Sequence, residues 1–209
     1  MMKYMVAGLL VAVALSLSPL FASDAMAPDV LARSVTDEVL AIVRADKDIQ
    51  AGNQKKVHEL VEAKVVPHFN FVRMTQLAMG RNWREATAEQ QKRLVEEFRT
   101  LLVRTYTAAF TQYKNQSVEY RRPRMAPGDT DVVVQSLIKQ SNGQPVAVDY
   151  AMEKTDRGWK VYNVKIEGVS MVENYRNTFN TEVQKSGIDG LIKTLGDKNR
   201  LLVQQAHSK

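Results

Sequence analysis

Three histidines, two closely spaced aspartates and one run of arginines are the residues whose types could do chemistry. His58, His68 and His207 could act as general bases or metal ligands, but none has a second ligand at zinc spacing and H-E-x-x-H is absent. His68 stands between Pro67 and Phe69. A lone histidine with no partner makes neither a triad nor a metal site, so it reads as a structural or surface residue. Asp129 and Asp131 flank a turn at Gly128 but lack the spacing and the later Glu of a calcium loop; they read as turn chemistry. Arg121-Arg122-Pro123-Arg124 could hold a phosphate headgroup or an acidic partner. An equally fitting alternative is a solvated strand edge whose charge discourages aggregation. No G-x-S-x-G elbow, P-loop or G-x-G-x-x-G is present. No catalytic residue, metal or cofactor is therefore expected, and the chain does not read as an enzyme.

Composition narrows the classes further. The 209 residues include no cysteine, which excludes disulfides, thiolate metal sites, a cysteine nucleophile and lipid anchoring through Cys. Apolar content of 44% and charged content of 25% are ordinary for a folded domain. The net charge is +6 and the pI about 9.5. Such a charge could suit nucleic acid, but the N-terminus argues otherwise. Lys3 precedes an apolar run from Tyr4 to Leu17, shorter than the about 20 residues a spanning helix needs. Pro19 and the small residues around Ala22, Ala25 and Ala27 follow. Residues 1–27 therefore read as a secretory signal peptide cut between 22 and 27. Outside the cytoplasm, anionic membrane surfaces and acidic proteins are the expected partners, and nucleic acid is not.

The elements that must position any site follow from periodicity. Leu31, Val35, Val39, Ile42 and Val43 mark one helix ending near Ala51-Gly52. Val57, Leu60, Val61 and Val65 mark a second, stopped by Pro67, and Asn70 caps a third, closed by Gly80. Thr87-Ala88-Glu89-Gln90 is a capping box opening a helix to about Lys114, roughly 40 Å long at about 1.5 Å per residue. The pattern then alternates. Strands are expected from Val118 to Arg124, Asp131 to Gln140, Val146 to Glu153 and Trp159 to Glu167, with Asn142-Gly143 as one hairpin turn. In the fourth strand Trp159 and Val161 share one phase while Tyr162, Val164 and Ile166 share the other, which predicts a bulge or apolar cover on both faces. Ser170 to Glu173 is a second capping box, and Gly187 ends that helix before a short last one at Ile188 to Leu195. The expected fold is α+β: a four-stranded twisted antiparallel sheet wrapped by helices, one domain over 28–200, with a polar tail at 201–209 that frays.

With the motifs placed, the chain resembles the MlaC family, also called toluene-tolerance proteins. Three blocks carry the match: Val65 to Phe71 with Leu77 to Thr87 and Gln90-Gln91; Phe98 to Tyr106; and Gly158 to Tyr162, Glu167 to Val172, Tyr175-Arg176 and Gly187 to Leu191. The third is the most specific, a W-x-x-Y…E-G-V-S string opening a helix and then G-I-D-G-L. Asn70 and Asn163 stand where the family often has Asp. The resemblance implies a soluble, monomeric periplasmic carrier of diacyl phospholipid. It implies shuttling between an inner-membrane ABC transporter complex and an outer-membrane lipoprotein–porin complex, which maintains outer-membrane asymmetry. It also implies an apolar lipid cavity. Its expected walls are the concave sheet face (Val134, Val148, Tyr150, Val164, Ile166), the long helix (Phe98, Leu101, Leu102, Tyr106), the segment after the sheet (Val169, Met171, Tyr175) and Leu77. Each of these is equally an ordinary core residue by its spacing alone. Two other readings fit the residues: an exported small-molecule hydrolase, and an interaction module with a filled core.

Overall fold

The computed structural model describes residues 26–111, 116–140 and 143–207. The export segment through Ala25, the expected helix end at Lys114 and Asn142 of the expected turn lie outside them. The first expected helix is two. α1 (Pro28–Ala45) ends at Asp46, whose extended backbone breaks the helix and whose carboxylate caps α2 (Lys47–Gln50) by accepting from Asp48 N and Ile49 N. The apolar stripe runs through this break in phase, so periodicity alone does not reveal it. α1 serves two cores. Leu31 and Ala32 pack on the sheet, while Val39 and Val43 pack with Ile49, Val57 and Leu60 of α2 and α3 (Gln54–Lys64). α4 (Phe71–Met79) is capped by Asn70 as expected, through the Arg73 N–H, and Gly80 closes it.

α5 (Ala88–Thr111) opens on the expected capping box: Gln90 N donates to Thr87 Oγ1 at 3.2 Å, and Gln90 Oε1 accepts from Thr87 N at 3.0 Å. It packs on α3, α4 and the last helix rather than across the sheet.

The sheet has five antiparallel strands in sequence order: β1 (Ser117–Arg121), β2 (Asp131–Lys139), β3 (Val146–Thr155), β4 (Gly158–Ile166) and the two-residue β5 (Val169–Ser170). The fifth strand goes beyond the four expected. β1 ends before Pro123, which cannot donate to a ladder. β4 carries the bulge. Met152 pairs with Val161 and Ala151 with Asn163, leaving Tyr162 as the extra residue. Val161 and Val164 thereby reach the same face, and both are buried there with Trp159.

α6 (Met171–His207) is two helices divided at Gly187, whose φ of 72° and ψ of −178° suit only glycine. The second part continues past Leu195 instead of stopping there. The G-I-D-G-L string now has physical content. A Cβ on Gly190 would lie 2.1 Å from Ser186 Oγ, Asp189 accepts from Gln90 Nε2 at 3.1 Å, and Leu191 is fully buried. Asn199 Nδ2 donates to Glu97 O at 3.0 Å and ties this last helix to α5. A Gly187→Ala substitution should destabilise the protein by about 1–3 kcal/mol, read as a lower midpoint in urea unfolding; an unchanged midpoint would mean the break between the two helices needs no glycine.

Candidate functional site

Two of the cross-strand rows on the inner face of the sheet carry the expected wall residues. Val134, Tyr150 and Val164 form one. Tyr120, Ser136, Val148, Ile166 and Val169 form the other. Along the second row relative exposure rises from 5% at Ser136 and 6% at Val148 to 39% at Ile166 and 64% at Val169. Ile166 and Val169, expected among the walls, thus stand at the open end of the row. β5 is two residues long and is the edge strand among the described residues. Glu167, at a φ of 48°, and Gly168 make the tight turn between them, and the Glu167 carboxylate accepts from Ala147 N.

The helical residues form a separate cluster. Phe98, Leu101 and Leu102 of α5 are fully buried against α4 and α6. Phe98 meets Tyr175 and Phe179 edge-on, at 5.0 and 4.9 Å between ring centroids. Leu77, Tyr106, Met171 and Tyr175 border this cluster half-buried. The structure therefore does not gather all the expected wall residues into one contact set. Most of them divide between two apolar clusters, one helical and one on the sheet, and Phe69 and Met171 touch both. Phe69 was not singled out by sequence; a parallel bridge to Val161 holds it in place. Tyr106, Tyr150 and Tyr175 keep accessible surface although burial pushes each phenol above its ordinary value, so all three stay neutral.

One polar cluster fastens the layers. Arg73 of α4 donates to Glu153 and, at 2.9 Å, to Asp131, and its guanidinium lies 3.7 Å from the Tyr162 ring centroid. Tyr162 donates to Asp131 at 2.6 Å, and burial together with that carboxylate pushes its phenol up to about 12. Asn70 Nδ2 donates to Glu153 at 2.6 Å, which an Asp at this position could not do. Asn163 is likewise occupied: its Oδ1 accepts from Val172 N at 3.3 Å, so it takes over part of the expected Ser170 cap of α6.

The other candidates lie outside these clusters. Asp129 accepts from Ala126 N at 2.7 Å, a turn contact. Arg121, Arg122 and Arg124 are exposed. Among the described residues no group of His, Asp and Glu could hold a metal ion. An open cleft of about 410 Å³ lies between α1, α2 and α3, far from the sheet rows, and its charges answer one another: Lys56 meets Asp46 at 3.0 Å and Asp48 at 2.7 Å. His68 has its imidazole held below the ordinary 6.5 by burial and by Lys160, against a smaller opposing pull from Glu38. The folded state thus binds that proton less readily than the unfolded chain. Stability should fall as pH drops below about 6.5, and His68→Gln should flatten the decline between pH 7.5 and 5.5 in urea titrations; an identical slope in the variant would place the decline on other groups.

Among the described residues no helix is long and apolar enough to cross a membrane. The chain is similar in sequence to the toluene tolerance protein ttg2D of Pseudomonas putida, 28% identical over 88% of this chain and 85% of that protein. It is also similar to the intermembrane phospholipid transport system binding protein MlaC of Haemophilus influenzae, 24% identical over 79% of this chain and 78% of the other. Its fold matches that of the phospholipid-binding protein from Ralstonia solanacearum, solved in complex with a phospholipid, with a TM-score of 0.78 and 43% identity over 85% of this chain and 99% of that one. The MlaC protein family model matches residues 33–197, the long helix, the whole sheet and the G-I-D-G-L break included, and the chain belongs to the MlaC family.

Proposed function

We propose that this chain is a non-catalytic periplasmic carrier of diacyl phospholipid. It takes lipid from one membrane complex and passes it to another, between an inner-membrane ABC transporter and an outer-membrane lipoprotein–porin assembly, and so maintains outer-membrane lipid asymmetry. The observation that carries the reading is the division of the interior. An apolar sheet face and an apolar helical layer are separate clusters bridged by Phe69 and Met171, in a fold that a 43% identical relative shares in complex with a phospholipid. The walls expected from sequence, from Val134 and Val148 to Met171 and Tyr175, belong to or border these two clusters, Ile166 and Val169 forming the rim.

The energetics fit a shuttle. Each acyl CH₂ costs about 0.8 kcal/mol to expose to water, so two chains need a continuous apolar cover. A cover that only balances the bilayer allows release, and the sequence carries no P-loop for nucleotide, so energy input falls to the ABC transporter.

The test is native mass spectrometry after incubation with phosphatidylglycerol and phosphatidylethanolamine vesicles. The expected product is protein carrying intact diacyl phospholipid. Protein that remains lipid-free refutes the carrier, and recovered lysolipid or fatty acid would instead support a hydrolase. Val148→Trp places an indole in the middle of the sheet row. It should lower lipid occupancy at least tenfold while costing the fold only about 1–3 kcal/mol, checked by circular dichroism; full occupancy would remove Val148 from the lipid's path.

A further inference from the structure

The inner sheet face is not uniformly apolar, and its polar part is organised. Thr36 Oγ1 of α1 and the Tyr120 hydroxyl of β1 are 2.6 Å apart. The Tyr120 and Tyr150 rings stack with centroids 6.4 Å apart and 29° between planes. The Tyr150 hydroxyl lies beside those of Tyr120 and Ser136, and Ser136 Oγ donates to Val148 O at 3.0 Å. Four neutral hydroxyls from α1, β1, β2 and β3 thus run in a line across one half of the rows. The other half, Val148, Val164, Ile166 and Val169, has no side-chain hydrogen-bonding group. The charges that act on the line, from Arg33 and Asp37, fall on Tyr120 at its outer end, where the exposed Arg33 guanidinium lies 5.3 Å from the ring centroid.

We infer that this hydroxyl line is the polar subsite of the lipid pocket and binds the glycerol-ester carbonyls of the lipid. The bound lipid then lies with its phosphate toward the exposed Arg33 and its acyl chains along the buried Val148 and Val164. The chemistry selects the ligand group. Hydroxyls can donate to a carbonyl oxygen without bringing charge into an apolar wall, whereas a phosphate or carboxylate there would be a buried, uncompensated ion. Plain core packing does not require a hydroxyl at Tyr150, where Phe would fill the same space. Tyr150 is surrounded by buried Val134, Val148 and Val164 yet keeps accessible surface of its own, as a residue facing a pocket does.

The inference rests on the carrier reading, and the test separates the two. Binding of ester-linked phosphatidylglycerol is compared with its dialkyl-ether analogue, which has the same headgroup and chain length but no ester carbonyl. Wild-type protein should bind the ester lipid about fivefold more tightly, the worth of one hydrogen bond. Tyr150→Phe should bring the two affinities within about twofold. Equal wild-type affinity for both lipids, or a variant that weakens both lipids alike, overturns the subsite and leaves the carrier standing. Binding of neither lipid overturns the carrier and the subsite together.

Discussion

One extra residue in β4 governs how the two layers of this protein meet. In a regular strand Val161 and Val164, three positions apart, would face opposite sides. The bulge at Tyr162 turns both inward and sends Tyr162 out to Asp131 and Arg73. The same strand then holds neighbours on its free edge. Asn70 N donates to Val161 O at 2.8 Å, which lays Phe69 beside Val161, and β5 takes the far end. α4 follows directly from Asn70, and α6 directly from β5. The helical layer is therefore hung from the edge of β4, with α5 carried on α3, α4 and α6.

Suspension from an edge has an energetic consequence. A helix layer pressed flat on a sheet merges two apolar surfaces into one core, and each fully buried aliphatic side chain then contributes about 1.5–3 kcal/mol. Here the two surfaces stay separate clusters: the middle of the sheet rows is buried, and apolar surface stays exposed at Ile166 and Val169. The clamp of Arg73 with Asp131 and Glu153 is what holds the edge attachment, and charge-assisted hydrogen bonds of this kind contribute about 1.5–3 kcal/mol each, less where solvent reaches them.

The family's sequence variations make sense at these joints. Asn70 both caps α4 and donates to Glu153. Asn163 receives the Val172 amide in the first turn of α6 and exchanges hydrogen bonds with Ser170. In each case an amide does two jobs, acceptor for a backbone N–H in the first turn of a helix and donor to a side chain. The apolar pattern of the sequence carries no trace of such a requirement, because both partners are distant in the chain or become neighbours only through the bulge.

Local physics was legible from the residues. The capping box at Thr87, the Asn70 cap, the breaks at Gly80 and Gly187, the alternation of β3 and the bulge in β4 all rest on interactions within a few positions, and they are found where the pattern places them. The apolar stripes also identified which residues would be inside. What the stripes could not say is which inside. Phe98 and Val148 read alike in one dimension, yet one seals a helix interface and the other faces the sheet interior. Ile166 and Val169 read as wall and stand at the rim. The Asp46 break is invisible in the α1 stripe, and Phe69, Ser136 and Tyr120 acquire meaning only beside Val161, Val148 and Tyr150. These are decided by pairings between strands and by helices meeting across the molecule, whose geometry depends on register and on packing between distant segments. The sequence by itself determined most of the elements, the caps at Asn70 and Thr87 and the family. The tertiary structure alone decided that its two apolar surfaces stand apart and that a line of hydroxyls crosses one of them.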